Sequence, residues 1–345
     1  MPLESTTDAA SHRRAVGVIG AGFHATTNIL PACVRADVQI QGIATRDIAR
    51  SAAALLQFGS TGTPFDNASA LIADPAIESV IVVAQPADQA RISLEAIQAG
   101  RNVFADKPLG WTAAEATELA DAADAAGVTL MVGFMKRYAP VYEQLAGLIA
   151  DGELGDIRSF HLGFGCDSTA FCANEEEFLK LAAIHVIDLV RALFGEVTDV
   201  AVSSSSVGRA VSLAVLLEFE SGVVGTLDLS GLPSYSSESE RVRVTGEHGF
   251  AVVEDLVRLT VHTSRPHVEP TWASLSEHRT VFTPAESAMS GGGRDLQLRG
   301  FVGEIEHFID AVQGGTTPRS SGRDNVLTMH LLELILAKAQ AGGIT

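Results

Sequence analysis

The chain has 345 residues, 46% of them hydrophobic and 19% charged, a globular composition and a length greater than one core usually serves, so two domains are expected. Its formal net charge of −18 argues against partners such as nucleic acid or an anionic membrane, both of which call for a basic surface. Three cysteines, Cys33, Cys166 and Cys172, lack metal-ligand spacing and point to a reducing, cytoplasmic setting rather than a disulfide framework; no apolar run is long enough to span a bilayer.

Residues 1–13 are polar and small without an apolar segment, and read as a loose tail rather than a signal peptide. The first structural signal follows at once. Val16, Val18 and Ile19 make a short apolar strand that runs into Gly20-Ala21-Gly22-Phe23-His24-Ala25. In a Gly-x-Gly-x-x-Ala turn the first glycine permits the tight strand-to-helix reversal, and the second lets a pyrophosphate approach the backbone. The alanine lets the helix lie close on the strand. The helix start offers free N–H groups to phosphate oxygens. Strand-like segments at 38–45, 61–65, 79–84, 102–105 and 128–132 then alternate with helix-like segments at 47–58, 87–99 and 112–126. The run Ser79-Val80-Ile81-Val82-Val83-Ala84 is apolar throughout, as in a strand covered on both faces. These repeated βα units predict a doubly wound parallel sheet over 14–135, with its ligand beyond the C-terminal strand ends.

After Arg137 the pattern changes. A helix at 139–151 precedes a strand at 157–165 and a long helical segment at 175–194. Strand-like runs follow at 197–206, 211–219, 223–230, 240–246, 249–254, 257–262 and 279–283, separated by short polar or glycine turns. This predicts a second, α+β domain over 136–345 with a mostly antiparallel open sheet. Residues 284–298, with Gly291-Gly292-Gly293, read as a mobile loop. Helices at 300–313 and 323–341 end the chain, and these last helices are expected to pack back near the first domain.

Two places in the first domain carry chemistry. The second strand of such a sheet ends in Asp or Glu when NAD is bound, because a carboxylate accepts the ribose hydroxyls. Here it ends in Thr45-Arg46-Asp47. A hydroxyl and a guanidinium suit a 2′-phosphate, so NADP(H) is favoured. NAD(H) stays open, with Asp47 facing the ribose and Arg46 solvated. The fifth strand ends in Ala105-Asp106-Lys107-Pro108. A lysine there stands where the nicotinamide of a bound cofactor is expected. Its ordinary pKa of about 10.4 would fall near a cationic nicotinamide or on burial, making it a proton donor and acceptor for a carbonyl or alcohol oxygen. A surface salt-bridge lysine is the plainer alternative.

Taken in order, the segments resemble the glucose–fructose oxidoreductase/inositol dehydrogenase/rhizopine catabolism (Gfo/Idh/MocA) family. The glycine turn is followed by Pro31. Gln85-Pro86 follows the fourth strand. Gly100-Arg101-Asn102-Val103-Phe104-Ala105-Asp106-Lys107-Pro108 is similar to the family's Gly-Lys-x-Val-x-x-Glu-Lys-Pro, with Asp106 in place of Glu. Val132-Gly133-Phe134-Met135-Lys136-Arg137-Tyr138-Ala139-Pro140, Gly152-Glu153-Leu154-Gly155-Asp156-Ile157 and Glu304-Ile305-Glu306-His307-Phe308 complete the match. The resemblance implies Lys107 as the central catalytic residue, often with a cis bond before the proline. It implies cofactor contacts from Gly20, Gly22, Phe23, His24, Thr45, Arg46, Ala84, Gln85, Gln89, Asp106 and Lys107. The family's Asp-x-Gly-x-His-x-x-Asp motif stands here as Leu181-Ala182-Ala183-Ile184-His185-Val186-Ile187-Asp188. His185 is thereby implied as a second catalytic or substrate-binding group, and Leu181 removes the carboxylate that normally orients the proton chemistry. Asp188 shares a helix face with His185 and is left between supporting the imidazole and pairing locally. Arg137 and Asp167 are candidate substrate contacts, Asp167 with a turn role as its alternative. Lys180 is expected in solvent. No metal site is expected. The implied activity is NADP(H)-dependent ketone–alcohol interconversion on a sugar, deoxysugar or cyclitol, in the reductive direction. The implied assembly is a homodimer or homotetramer through the second sheet. An NAD(P)-binding regulator, or a redox-assisted lyase or glycosidase, is the alternative that Leu181 keeps open.

Overall fold

The computed structural model describes residues 14–263, 278–285 and 294–341. The tail expected at 1–13 and the triple-glycine part of the loop expected at 284–298 lie outside them. Backbone contacts divide the chain into two units. One extends through Gly133 and includes Phe301–Leu327; the other comprises Phe134–Gly300 and resumes at Thr328.

The first unit is the expected parallel sheet. Its strands are β1 (Ala15–Ile19), β2 (Gln39–Ala44), β3 (Thr63–Phe65), β4 (Ser79–Val82), β5 (Asn102–Ala105) and β6 (Leu130–Val132), in the order β3-β2-β1-β4-β5-β6. All neighbouring pairs are parallel. β1 and β4 are buried at every position, which is why both read as unbroken apolar runs. The order reverses between β1 and β4, opening the crevice where such sheets hold ligands. The helices start and stop at legible signals. Asp47 caps α2 (Ile48–Gln57) by accepting from Ala49 N. Thr112 and Glu115 form a capping box on α5 (Ala113–Ala126), and left-handed Gly127 ends it. The helix after β1 opens with a π-helical turn, Ala25–Ile29, before α1 (Leu30–Arg35). α3 (Ala68–Ala73), too short to show a period in the sequence, is capped by Asn67, and α4 (Pro86–Gln98) starts on a proline. One part of the sequence-based division is corrected. α10 (Phe301–Gly314) lies in the first unit, not the second. The reason is its apolar stripe: Phe301, Ile305 and Phe308 are buried at helical spacing, and the Phe308 ring meets Phe104 of β5 edge-on at 5.8 Å.

The second unit is built on a sheet of eight strands among the described residues: β7 (Ile157–Gly165), β8 (Val197–Ser204), β9 (Val211–Phe219), β10 (Val224–Gly231), β11 (Ser239–Gly246), β12 (Gly249–Glu254), β13 (Arg258–Thr263) and β14 (His278–Phe282), in the order β14-β13-β12-β11-β7-β10-β9-β8. Every pair is antiparallel except β7 with β10. β9 alternates buried and exposed residues, the mark of a sheet with one covered face. Phe160 of β7 stacks on Phe194 at 4.5 Å, with Phe219 edge-on to both. The helices are α6 (Pro140–Ala150), α7 (Glu175–Phe178), α8 (Ile184–Phe194), α9 (Asp295–Leu298) and, from Thr328 on, α11 (Gly322–Ala341), whose first turns belong to the first unit. α9 replaces part of the expected loop. The segment expected as one helix over 175–194 is interrupted between α7 and α8 by a π-helical turn, Leu179–Ala183.

The second unit also buries a charge cluster that hydrophobic patterning does not reveal. Lys136 is 1% exposed and donates to Glu240 at 2.5 Å and to Glu238 at 3.2 Å; the Tyr142 hydroxyl donates to the other Glu240 oxygen at 2.5 Å. Burial opposes the Lys136 charge, but the two glutamates together raise its pKa. Burial, then Glu240, holds the Tyr142 phenol well above its ordinary value. Removing one partner leaves a buried charge uncompensated. Lys136→Met is therefore expected to cost about 3–5 kcal/mol in urea unfolding, and Lys136→Met with Glu240→Gln to recover part of that loss. A single variant as stable as the double would refute the coupling.

Candidate cofactor and active site

In the first unit, backbone geometry builds a dinucleotide cradle. Gly20 has φ +107°, and a Cβ there would lie 2.0 Å from the Val83 carbonyl oxygen; only glycine fits. A Cβ on Gly22 would meet nothing within 4 Å, so this glycine leaves open space beside the loop rather than relieving a clash. Ala25 is fully buried, consistent with the close helix approach. The cradle fits a pyrophosphate, whose oxygens backbone N–H groups can receive. Phe23 stands 84% exposed at its edge.

At the end of β2, Thr45 Oγ1 donates to Asp47 O at 2.7 Å and accepts from Asp47 N at 3.1 Å. Asp47 itself is occupied as a helix cap. Arg46 is exposed and makes no hydrogen bond or ion pair among the described residues. Sequence reasoning missed Arg50. Its Nη2 and Nε donate to the Ala21 carbonyl at 2.7 and 3.2 Å, strapping α2 to the glycine loop. The available signal was its place one helical turn after Arg46.

Gln89 is 2% exposed. Its Oε1 accepts from Ala84 N, and its Nε2 donates to the carbonyls of Val82 and Asp106. The side chain thus ties the ends of β4 and β5, and anything it does for a ligand acts through the backbone it holds. Gln85 is exposed at the start of α4. Asp106 faces His24, with Oδ1 3.5 Å from Nε2; Asn28 donates to His24 Nδ1 at 3.0 Å, which leaves the ring proton on Nε2, toward Asp106. Lys107 is half-buried directly after Asp106, and the Lys107–Pro108 bond is cis.

In the second unit, the π-helical turn precedes His185, which is half-buried and meets the Phe134 ring edge-on at 6.1 Å. π turns often mark functional sites. Arg137 grips Asp188 with both ends, Nε to Oδ2 at 2.6 Å and Nη2 to Oδ1 at 2.5 Å, and the Thr328 hydroxyl adds a bond at 3.0 Å. Asp188 is fully buried. The structure thus brings Arg137 and Asp188 together as an internal pair that pins α8. Asp167 is exposed, and its carboxylate accepts from Thr169 N and Oγ1, the turn alternative weighed for it. Lys180 overturns its expectation. It is 2% exposed and paired with Glu176 at 2.6 Å, because it lies within the π-helical turn and is directed inward. No group of three or more His, Cys, Asp or Glu among the described residues is arranged to hold a metal, and no described helix is long and apolar enough to cross a membrane.

Comparison with known proteins follows both units. Residues 14–134 match the Gfo/Idh/MocA oxidoreductase family, NAD-binding Rossmann fold, and residues 142–252 match its C-terminal domain. D-apiose dehydrogenase of Paraburkholderia graminis is 29% identical over 356 residues, covering 98% of this chain and 91% of that one. D-xylose 1-dehydrogenase (NADP(+)) 2 of Haloferax volcanii is 26% identical, covering 94% and 97%. scyllo-Inositol 2-dehydrogenase (NAD(+)) of Bacillus subtilis is 25% identical, covering 76% and 75%. Among solved structures, a dehydrogenase from Chromobacterium violaceum shares the fold with a TM-score of 0.84 at 22% identity over 95% of both chains. Levoglucosan dehydrogenase in complex with NADH and levoglucosan does so with a TM-score of 0.81 at 20% identity, over 95% of this chain and 97% of that one. With both halves matched in order, and a glycine cradle shaped for a dinucleotide, the chain belongs to the Gfo/Idh/MocA family and is an oxidoreductase with an NAD-binding Rossmann domain.

Proposed function

We propose that the protein is an NADP(H)-dependent dehydrogenase that interconverts a ketone and a secondary alcohol on a sugar, deoxysugar or cyclitol, acting reductively. The observation that carries the cofactor preference is the end of β2. Asp47 is spent on capping α2, while Arg46 stands exposed with its guanidinium uncommitted among the described residues. A 2′-phosphate is the ligand chemistry such a guanidinium receives best. The carbohydrate class is supported by relatives named for D-apiose, D-xylose and scyllo-inositol. The reductive direction rests on the NADP-type strand end and on Leu181, where the family motif has a carboxylate. A cytoplasmic location and a homodimer or homotetramer through the second sheet complete the proposal; the exposed face of that sheet carries Leu216 and Val224.

When bound, the nicotinamide supplies or accepts a hydride. Lys107 hydrogen-bonds the reacting oxygen and gives it a proton in reduction, taking one in oxidation. By the family motif, His185 is a second catalytic or substrate-binding group. Arg137 and Asp188 act at a distance from the chemistry, holding α8 and with it His185. The Leu181 side chain is a hydrocarbon that cannot exchange a proton, so the imidazole works without a carboxylate at that position. The same substitution favours a second reading, a cofactor-binding regulator or a redox-assisted lyase or glycosidase, distinguished by the absence of net NADPH consumption.

Lys107→Ala is expected to lower kcat/KM by about 10²–10⁴-fold with unchanged circular dichroism; undiminished turnover would sink the mechanism. Arg46→Ala should weaken NADPH by about tenfold and leave NADH unchanged in fluorescence titration, whereas Arg50→Ala should weaken both through the loop it straps. Equal losses of NADPH and NADH in Arg46→Ala would remove the 2′-phosphate assignment.

A further inference from the structure

A buried polar chain runs through the second unit, and the proposed mechanism uses only one end of it. That end is the grip of Arg137 on Asp188, Nε to Oδ2 at 2.6 Å and Nη2 to Oδ1 at 2.5 Å. Arg191, one turn further along α8, grips Glu196 in the same way, Nε to Oε2 at 3.1 Å and Nη2 to Oε1 at 2.5 Å. The Thr328 hydroxyl of α11 stands between the two pairs. It accepts from Arg191 Nη1 at 2.7 Å and donates to Asp188 Oδ1 at 3.0 Å. Its direction is fixed, because a guanidinium has no acceptor and an ionised carboxylate has no donor. Asp188 and Thr328 are fully buried and Arg191 is 4% exposed, so these bonds form out of reach of bulk water. The chain Arg137–Asp188–Thr328–Arg191–Glu196 therefore holds α8 at two successive turns, against α11, the segment Met135–Tyr138 and the residue that leads into β8.

We infer that Thr328 is a positioning residue: its hydroxyl couples the two ion pairs and so fixes the rotation of α8 about its own axis, which sets where His185 points. The inference rests on the proposed role of His185. His185, Asp188 and Arg191 follow one another at i, i+3 spacing along one stripe of α8. The helix needs such a hold because of what precedes it. The π-helical turn Leu179–Ala183 winds with one residue more than an α-turn, and a one-residue slip of that turn would rotate everything after it by about 100°. Such a rotation would carry His185 off the Phe134 ring that it meets edge-on at 6.1 Å, and would take Asp188 and Arg191 away from Thr328 together. A lone ion pair between long side chains can follow a small rotation. Two pairs joined through threonine, whose hydroxyl sits on a stiff, β-branched side chain, cannot.

Carbethoxylation of the full chain by diethyl pyrocarbonate at one fixed pH, with each histidine followed by peptide mass spectrometry, reads the setting of His185 directly. Thr328→Val keeps the branched shape and removes the hydroxyl. It should make His185 react about threefold faster or more, while His161, exposed on the sheet, keeps its wild-type rate. Thr328→Ser should restore the wild-type rate at His185. An unchanged His185 in Thr328→Val overturns the inference. So does an equal acceleration at His161, the mark of general loosening, or a Thr328→Ser protein that reacts like Thr328→Val. If Thr328→Val does not fold, Glu196→Gln, altered at the partly exposed end of the chain, takes its place: it should accelerate His185 selectively, and a wild-type rate there overturns the coupling. In turnover, the loss caused by Thr328→Val should vanish in a His185→Ala background, where nothing is left to position; an undiminished loss overturns action through His185. If His185→Ala turns over like wild type, or the wild type shows no turnover, the proposed function falls, and the modification rates still decide whether Thr328 holds His185 in place.

Discussion

The Val83 carbonyl oxygen lies where a side chain on residue 20 would have to be, and the cofactor domain depends on that close approach. It brings the end of β1 against the end of β4. A lateral series of backbone bonds extends the alignment. Gly20 N donates to Ala44 O, Val83 N to Ile19 O, Asp106 N to Val82 O, and Gly133 N to Ala105 O. Gln89 repeats the link with its side chain by reaching both Val82 and Asp106. The five strand ends that frame the mouth, those of β2, β1, β4, β5 and β6, are therefore indexed to one another through short bonds, which a displacement at any one would break. Lys107 inherits its place from that series, and Arg50 extends it to α2 by holding Ala21.

The second unit uses a different device. Its organising contacts are ion pairs taken out of water, Arg137 with Asp188 and Lys136 with Glu240. Such pairs add little net stability compared with apolar packing but penalise any arrangement that separates them. Both lysine and arginine belong to the segment Met135–Tyr138, so one short turn is tied to α8 on one side and to β11 on the other. That is a means of holding His185 and the sheet in fixed relation within the unit, and it explains why a helix carrying a π-helical turn is kept in place.

The cofactor half was legible to a large extent. Strand order in a βα repeat follows from chain order and handedness, and the strands announce themselves because burial on both faces demands continuous apolar residues. Gly20, Asp47, Thr112 and Gly127 carried turn and cap signals whose physical basis is local to a few residues. Arg50 and Gln89 were harder. Their roles depend on carbonyls about 29 residues away for Arg50 and up to 17 away for Gln89, and a polar residue at a helical position looks the same whether it faces water or a strand end.

What the sequence by itself determined was the parallel and antiparallel sheets, the glycine cradle, and the positions of Lys107 and His185 in recognisable motifs. These rest on periodicity, backbone sterics and short-range hydrogen bonds, all of which act within a few residues. Only the tertiary structure decided that α10 belongs to the first unit, that Lys180 turns inward, and that Asp188 is consumed by Arg137. Each of these joins or separates groups through burial, and the environment of a charged side chain is set by whatever distant segment covers it.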